Sequence, residues 1–141
     1  MEVSDITIEL LQKGIEYGEL TGGKFDITVA PLSELWDFKN NSGELPAPTA
    51  IDEALSHVNY KNIIIEGNTV TLTDPNAAID LGGIAKGYMA DQLKVYLLSN
   101  GVESALINLG GNMLAIGTKP DGLEFNIGIQ KPFDKQGAAI T

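Results

Sequence analysis

"IDLGGIAKGYMAD", Ile79 to Asp91, is the stretch on which the reading of this chain turns. It contains an acid, a glycine pair, a lysine, a third glycine and a second acid. Ile79 and Asp80 read as the end of a short strand, and Gly82-Gly83 allow backbone conformations closed to other residues. A helical pattern then runs from about Ile84 to Asn100, with Gly101 placed to close it. A turn of this kind shares its space with the free N–H groups and positive dipole end of the helix. Lys86 falls in the first helical turn, where a cation is unfavourable unless an anion lies nearby. A pyrophosphate or carboxylate ligand would resolve the mismatch. The standard nucleotide loops do not match. A P-loop needs GxxxxGK followed by Ser or Thr, whereas here the lysine precedes Gly87 and Tyr88 follows; GxGxxG is absent. On these residues alone a purely structural turn, with Asp80 beside the helix cap and Lys86 solvated, stays open.

Working outward, Ile8, Leu11 and Ile15 recur at helical spacing after Ser4 or Asp5 as N-cap, and Gly22-Gly23 end that helix. "KFDITVAPLSELW" begins β-branched, and Pro31 permits a brief helical turn through Trp36. "KNNSGELPAPT", Lys39 to Thr49, reads as a loop. Thr49, with Glu53 nearby, opens a second short helix through His57 or Val58. "YKNIIIEGNTVTLTD" reads as a β-hairpin turning at Gly67-Asn68. After the long helix, strands are expected at Ser104–Leu109, Met113–Gly117 and Glu124–Ile129. This order favours an α+β fold, with helices packed in mixed layers on a largely antiparallel sheet, as one domain over residues 1–141.

Composition narrows the function. Nine basic residues against nineteen acidic ones give a net charge of −10, which repels nucleic acid and anionic membrane surfaces at long range. A small polyanion is still compatible, because a local glycine-rich loop or a metal ion overrides the mean field. No cysteine is present, so disulfides, thiolate metal sites and cysteine nucleophiles are excluded. The single histidine, His57, rules out a multi-histidine metal centre and reads as structural or exposed. No apolar run approaches the ~20 residues of a membrane span, and the acidic start has no basic signal-peptide region. The chain enters a helical pattern at once and stops soon after a strand and turn. An internal portion of a longer protein is expected to look like this.

Two other segments hold candidate chemistry. "GGKFDITVAPLSELWDF" sets a glycine pair, an aromatic, an acid and a hydroxyl in a row, as at a pocket edge. A helix cap followed by a core strand is the plainer explanation. "ALINLGGNMLAIG" is explained by a tight hairpin, or by close backbone approach to a bound group. Asp74, Asp80 and Asp91 do not form a cation cluster by spacing alone.

Taken together and in order, "GGKFDITVAPLSELWDF", "AAIDLGGIAKGYMADQL" and "SALINLGGNMLAIG" closely resemble the ApbE family of FAD:protein FMN transferases; "FNIGIQKP" resembles the strand that follows in that family. The resemblance covers about Ile8 to Thr141. It implies an exported, often lipid-anchored enzyme that uses FAD and Mg²⁺. Such an enzyme moves FMN onto a Thr or Ser hydroxyl of a target flavoprotein and releases AMP; some relatives hydrolyse FAD instead. Carried onto this sequence, it implies that Lys24, Phe25 and Asp26 wrap the FAD, that Asp80 and Lys86 line its site, and that the Gly83 carbonyl binds metal. Asn108 to Asn112 would support the cleft.

The pattern also departs from the family. The later Asp with Thr or Ser that completes the magnesium site is absent, as is an N-terminal flavin-contacting aromatic. The 141-residue chain by itself is therefore expected to bind FAD weakly or not at all and not to catalyse transfer. The alternatives are a non-catalytic flavin-binding module and a structural or interaction domain.

Overall fold

The computed structural model describes residues 1–36, 43–133 and the backbone of 139–140. Residues 39–42 of the expected loop lie outside the described residues. Two compact units divide the chain, Met1–Ala85 and Lys86–Thr141.

In the first unit, helix α1 spans Asp5–Leu20. Ser4 is its N-cap, the Oγ accepting the Thr7 N–H at 3.3 Å. At the other end Gly23 N–H donates to the Gly18 carbonyl at 2.8 Å and Gly22 N–H to that of Glu19 at 3.0 Å. These bonds are the paired closure of a Schellman cap, with both glycines at positive φ (62° and 81°). The short helix α2 spans Ala30–Ser33 with Pro31 in its first turn. Helix α3 spans Pro48–Ser56. It starts one residue before the expected Thr49, without a side-chain cap, because proline at the first helical position presets the backbone angle. A 3₁₀ turn, Tyr60–Asn62, leads into the hairpin of β1 (Ile63–Glu66) and β2 (Thr69–Leu72). Their register, Ile63 opposite Leu72 through Glu66 opposite Thr69, places the turn at Gly67-Asn68 as the sequence implied.

Leu11, Ile27, Ile63 and Val70 form the buried core of this unit. Ile8, Ile15, Phe25, Ile79, Leu81 and Ile84 pack around them. Full burial of side chains of this size is worth about 1.5–3 kcal/mol each. Ile27, 1% exposed, anchors the segment Phe25–Val29 across that core. Neither this segment nor Ile79-Asp80 is a regular strand. They meet at one parallel bridge, Val29 with Ala78, and one bond, Asp80 N–H to the Ile27 carbonyl at 2.8 Å. The Asp26 carboxylate accepts the Thr28 N–H at 2.8 Å, and this local turn interrupts an extended ladder.

In the second unit, helix α4 (Ala85–Ser99) ends at Asn100-Gly101. The Val102 N–H reaches the Leu97 carbonyl at 3.0 Å and the Gly101 N–H that of Leu98 at 3.1 Å. Strands β3 (Ala105–Leu109) and β4 (Asn112–Ile116) form an antiparallel hairpin with Ile107 and Ile116 buried. Gly110 and Gly111 both take positive φ (61° and 92°), as a two-residue type I′ turn requires. The expected strand Glu124–Ile129 is corrected. Residues 124–128 join no ladder among the described residues, and pairing begins only at β5 (Ile129–Gln130), opposite β6 (Ala139–Ile140). An alternating pattern supplies a strand's faces but not its hydrogen-bonding neighbour. Helices with antiparallel ladders make the fold α+β, the class expected.

Candidate functional site

The glycine loop of the first unit rests on the Phe25–Val29 segment. Besides the main-chain bond to Ile27, Asp80 Oδ1 accepts the Gly82 N–H at 2.7 Å, which closes a tight turn. The Leu81 carbonyl accepts the N–H groups of Ile84 and Ala85, at 3.0 and 2.8 Å. The loop's small residues admit Phe25, since a Cβ added at Gly83 would lie 3.3 Å from that ring. Phe25 is itself fixed from behind. Its N–H donates to Thr21 Oγ1 at 2.9 Å, and its ring meets Tyr17 edge-on, centroids 6.1 Å apart at 77°. Asp80 and Gly83 remain exposed, so a polar ligand can reach the loop.

The Asp26 carboxylate serves three donors. Its Oδ1 accepts the Thr28 N–H and hydroxyl, at 2.8 and 2.6 Å, and its Oδ2 accepts the Tyr60 N–H at 2.8 Å. Thr28 is fully buried, and its Oγ1 accepts the Asn59 N–H at 2.8 Å. Two side chains thereby seat residues 59–60 beside the Phe25–Val29 segment. An open cleft of about 360 Å³ results, lined by Gly22, Gly23, Asp26, Val58, Asn59, Tyr60 and Lys61. Lys24 is exposed next to it in sequence.

Lys86 belongs to the second unit, where its Nζ lies 3.6 Å from the position a Cβ would take at Gly110. The ammonium therefore stands over the β3–β4 turn, whose Gly111 N–H donates to Asn108 Oδ1 at 2.9 Å. Lys86 and the "NLGGN" segment share one corner of that unit.

Among the described residues no three His, Asp or Glu side chains gather to hold a metal ion. Mg²⁺ needs several well-placed oxygens, and one main-chain carbonyl at Gly83 with a neighbouring carboxylate is too few.

Sequence reasoning named Phe25, Asp26, Asp80 and Gly83, which the fold brings into one unit. It missed Thr28, Asn59 and Tyr60. Their part in the cleft rests on a tertiary approach that no local pattern signals. It also missed Gly14 and Gly18 of α1, where an added Cβ would meet the Ile27 side chain and the Tyr60 ring.

The model of the ApbE family matches residues 1–141. This chain belongs to the ApbE family. Among its ApbE relatives are proteins named FAD:protein FMN transferase. The one from Vibrio cholerae is 35% identical over 134 residues (92% of this chain, 40% of that protein). The one from Klebsiella pneumoniae is 34% identical over 140 residues (98% and 42%). The one from Treponema pallidum is 31% identical over 138 residues (87% and 38%). Solved ApbE structures agree. The Thermotoga maritima ApbE protein superposes with a TM-score of 0.83 at 36% identity, covering 95% of this chain and 45% of that one. The Vibrio cholerae flavin transferase ApbE gives 0.81 at 32% identity, covering 93% and 43%. The chain thus spans about two fifths of the length of the curated ApbE relatives it matches.

Proposed function

We propose that this chain supplies part of the FAD site of an FAD:protein FMN transferase. The observation that carries the reading is the seating of the exposed Asp80–Gly83 loop on Phe25. It joins two of the three segments on which the family resemblance rests.

In the proposed reaction, a Thr or Ser hydroxyl oxygen of a target flavoprotein attacks the FMN-side phosphorus of FAD. The P–O bond to the AMP portion breaks and the hydroxyl proton departs. Charge gathers on the non-bridging oxygens, and fixed donors and cations lower that barrier. Lys24, Phe25 and Asp26 are proposed to wrap the FAD. Because the Asp26 carboxylate already serves three protein donors, its share is to hold this backbone in shape. Asp80 is proposed as a direct FAD contact and the Gly83 carbonyl as one Mg²⁺ ligand. Lys86 is proposed separately, from the second unit, as a cation for phosphate. An extracytoplasmic, lipid-anchored location is proposed on the resemblance alone.

The test is to incubate the complete gene product carrying this chain with FAD, Mg²⁺ and a threonine-bearing acceptor protein. A fluorescent covalent flavin on the acceptor, with AMP released, is expected. FAD binding without any adduct or AMP would favour a flavin-binding module instead.

A further inference from the structure

His57 closes α3, and Asp74 opens the turn that leads to the Ala78–Ala85 loop. The two side chains meet at 2.7 Å, His57 Nδ1 to Asp74 Oδ2, each about one fifth exposed. A carboxylate only accepts, so the proton of this bond sits on Nδ1. Asp74 is committed on its other side too. Its Oδ1 accepts the Asn76 N–H at 2.8 Å and its carbonyl accepts that of Ala77 at 3.2 Å. The next residue, Ala78, makes the bridge to Val29, and Asp80 then bonds to Ile27. One side-chain contact therefore links the end of α3 to the start of the segment that carries the glycine loop.

We propose that His57 and Asp74 form a proton-dependent clasp, closed while the imidazole is charged and loosened when it becomes neutral. The acidic groups facing the ring are Asp74 from the turn and Glu53 from α3, whose Oε1 lies 3.6 Å from His57 Nε2. With both nitrogens protonated, the ring donates to Asp74 through Nδ1 and holds its charge beside the Glu53 carboxylate. Loss of the Nε2 proton turns that nitrogen into an acceptor beside Glu53 and removes the ion pair with Asp74. The bond at Nδ1 then remains as a neutral donor only, and such bonds are weaker. In agreement, the bond to Asp74 holds the His57 pKa above its ordinary value despite some desolvation. No other histidine or cysteine titrates in the neutral range. The N-terminal ammonium, which donates to the Val70 carbonyl at 2.8 Å, lies at β2 and not at the clasp.

The clasp is independent of the flavin reading and is tested without flavin. A two-dimensional NMR titration of the single imidazole in the unmodified chain reads its midpoint directly. Amide hydrogen exchange at Asn76 and Ala77, corrected for intrinsic rates, reads the turn across the same pH range. The expected result is a midpoint above that of an unperturbed histidine, with protection at both amides falling through that midpoint. Asp74→Asn should return the midpoint toward the ordinary value and flatten the pH dependence of protection. His57→Gln should flatten it as well. A midpoint at or below the ordinary histidine value in the unmodified chain overturns the proposal. So does protection of Asn76 and Ala77 that does not change through the titration.

Discussion

The ring of Phe25 stands over Gly83, close enough that a Cβ at Gly83 would lie 3.3 Å from Cε2 and 3.8 Å from Cζ. Two segments far apart in the sequence thus meet where neither can enlarge freely. Gly83→Ala should cost little, because Phe25 is half-buried and its ring can give by a few tenths of an ångström. Gly83→Leu should cost about 1–3 kcal/mol by overpacking. In a Phe25→Leu background the penalty of Gly83→Leu should shrink, with a coupling of roughly 0.5 kcal/mol or more. Urea denaturation of the four proteins measures it; full additivity would show that the contact is not made.

Asp26 satisfies three donors, and Thr28 relays one of them to Asn59. Asp26→Asn keeps one acceptor oxygen and strands at least one half-buried N–H, at about 1 kcal/mol or more. Thr28→Val keeps the shape and removes the hydroxyl, with a loss of the same order. Thr28→Ser, which restores the acceptor for the Asn59 N–H, should recover most of it. A Val variant as stable as the unmodified protein, with the loss confined to Ser, would assign the effect to packing of the methyl group alone.

Helical glycines usually weaken a helix, and replacing one by alanine adds roughly 0.5–1 kcal/mol. Gly87 of α4, where an added Cβ meets nothing within 4 Å, should follow that rule. Gly14 should not, because its Cβ would lie 2.5 Å from Ile27 Cδ1; nor should Gly18, whose Cβ would lie 2.8 Å from the Tyr60 ring. Gly14→Ala and Gly18→Ala are expected to destabilise by about 1–3 kcal/mol. Opposite signs at Gly87 and Gly14 in thermal melts are the outcome to look for. A gain at Gly14 would mean that α1 does not approach Ile27 as described.

The His57–Asp74 pair sets the sign of two pH effects on stability. The bond to His57, aided by the Asn76 N–H, holds the Asp74 pKa below its ordinary value. Its contribution is therefore present above the unfolded carboxylate pKa and is lost as pH falls through the depressed folded value. The His57 pKa is raised, so its contribution is complete below the unfolded histidine value and is lost as pH rises through the folded one. The pair helps most between these two limits. Melting temperature as a function of pH should fall less steeply at both ends in Asp74→Asn than in the unmodified chain. An unchanged acid limb in that variant would remove Asp74 from the account.

Much of the fold was legible in the sequence. Ser4 and Gly22-Gly23 bounded α1, Gly101 closed α4, and Gly67-Asn68 and Gly110-Gly111 marked two hairpins, because each of these signals acts within a few residues. The Glu124–Ile129 strand was misread because pairing depends on a neighbour that alternation does not name. Of the candidate site, Asp26 and Asp80 could be named from motif order. The commitment of Asp26 to Tyr60, and of Thr28 to Asn59, depends on residues more than thirty positions away. His57 was read as structural or exposed. Its partner, seventeen residues on, becomes visible only once α3 and the turn are folded together.

The central claim is that this chain carries part of a flavin-transfer site. It is tested most directly by in-gel flavin fluorescence of a threonine-bearing acceptor, using the complete gene product with FAD and Mg²⁺. The unmodified protein, Asp80→Ala and Lys86→Ala are compared at matched folding. A fluorescent acceptor band is expected for the unmodified protein, with transfer slowed by roughly 10²-fold or more in Lys86→Ala, the scale of losing one stabilising contact to a developing charge, and slowed in Asp80→Ala through loss of a contact to FAD. Transfer by both variants at the unmodified rate, or no adduct from the unmodified protein, would contradict it.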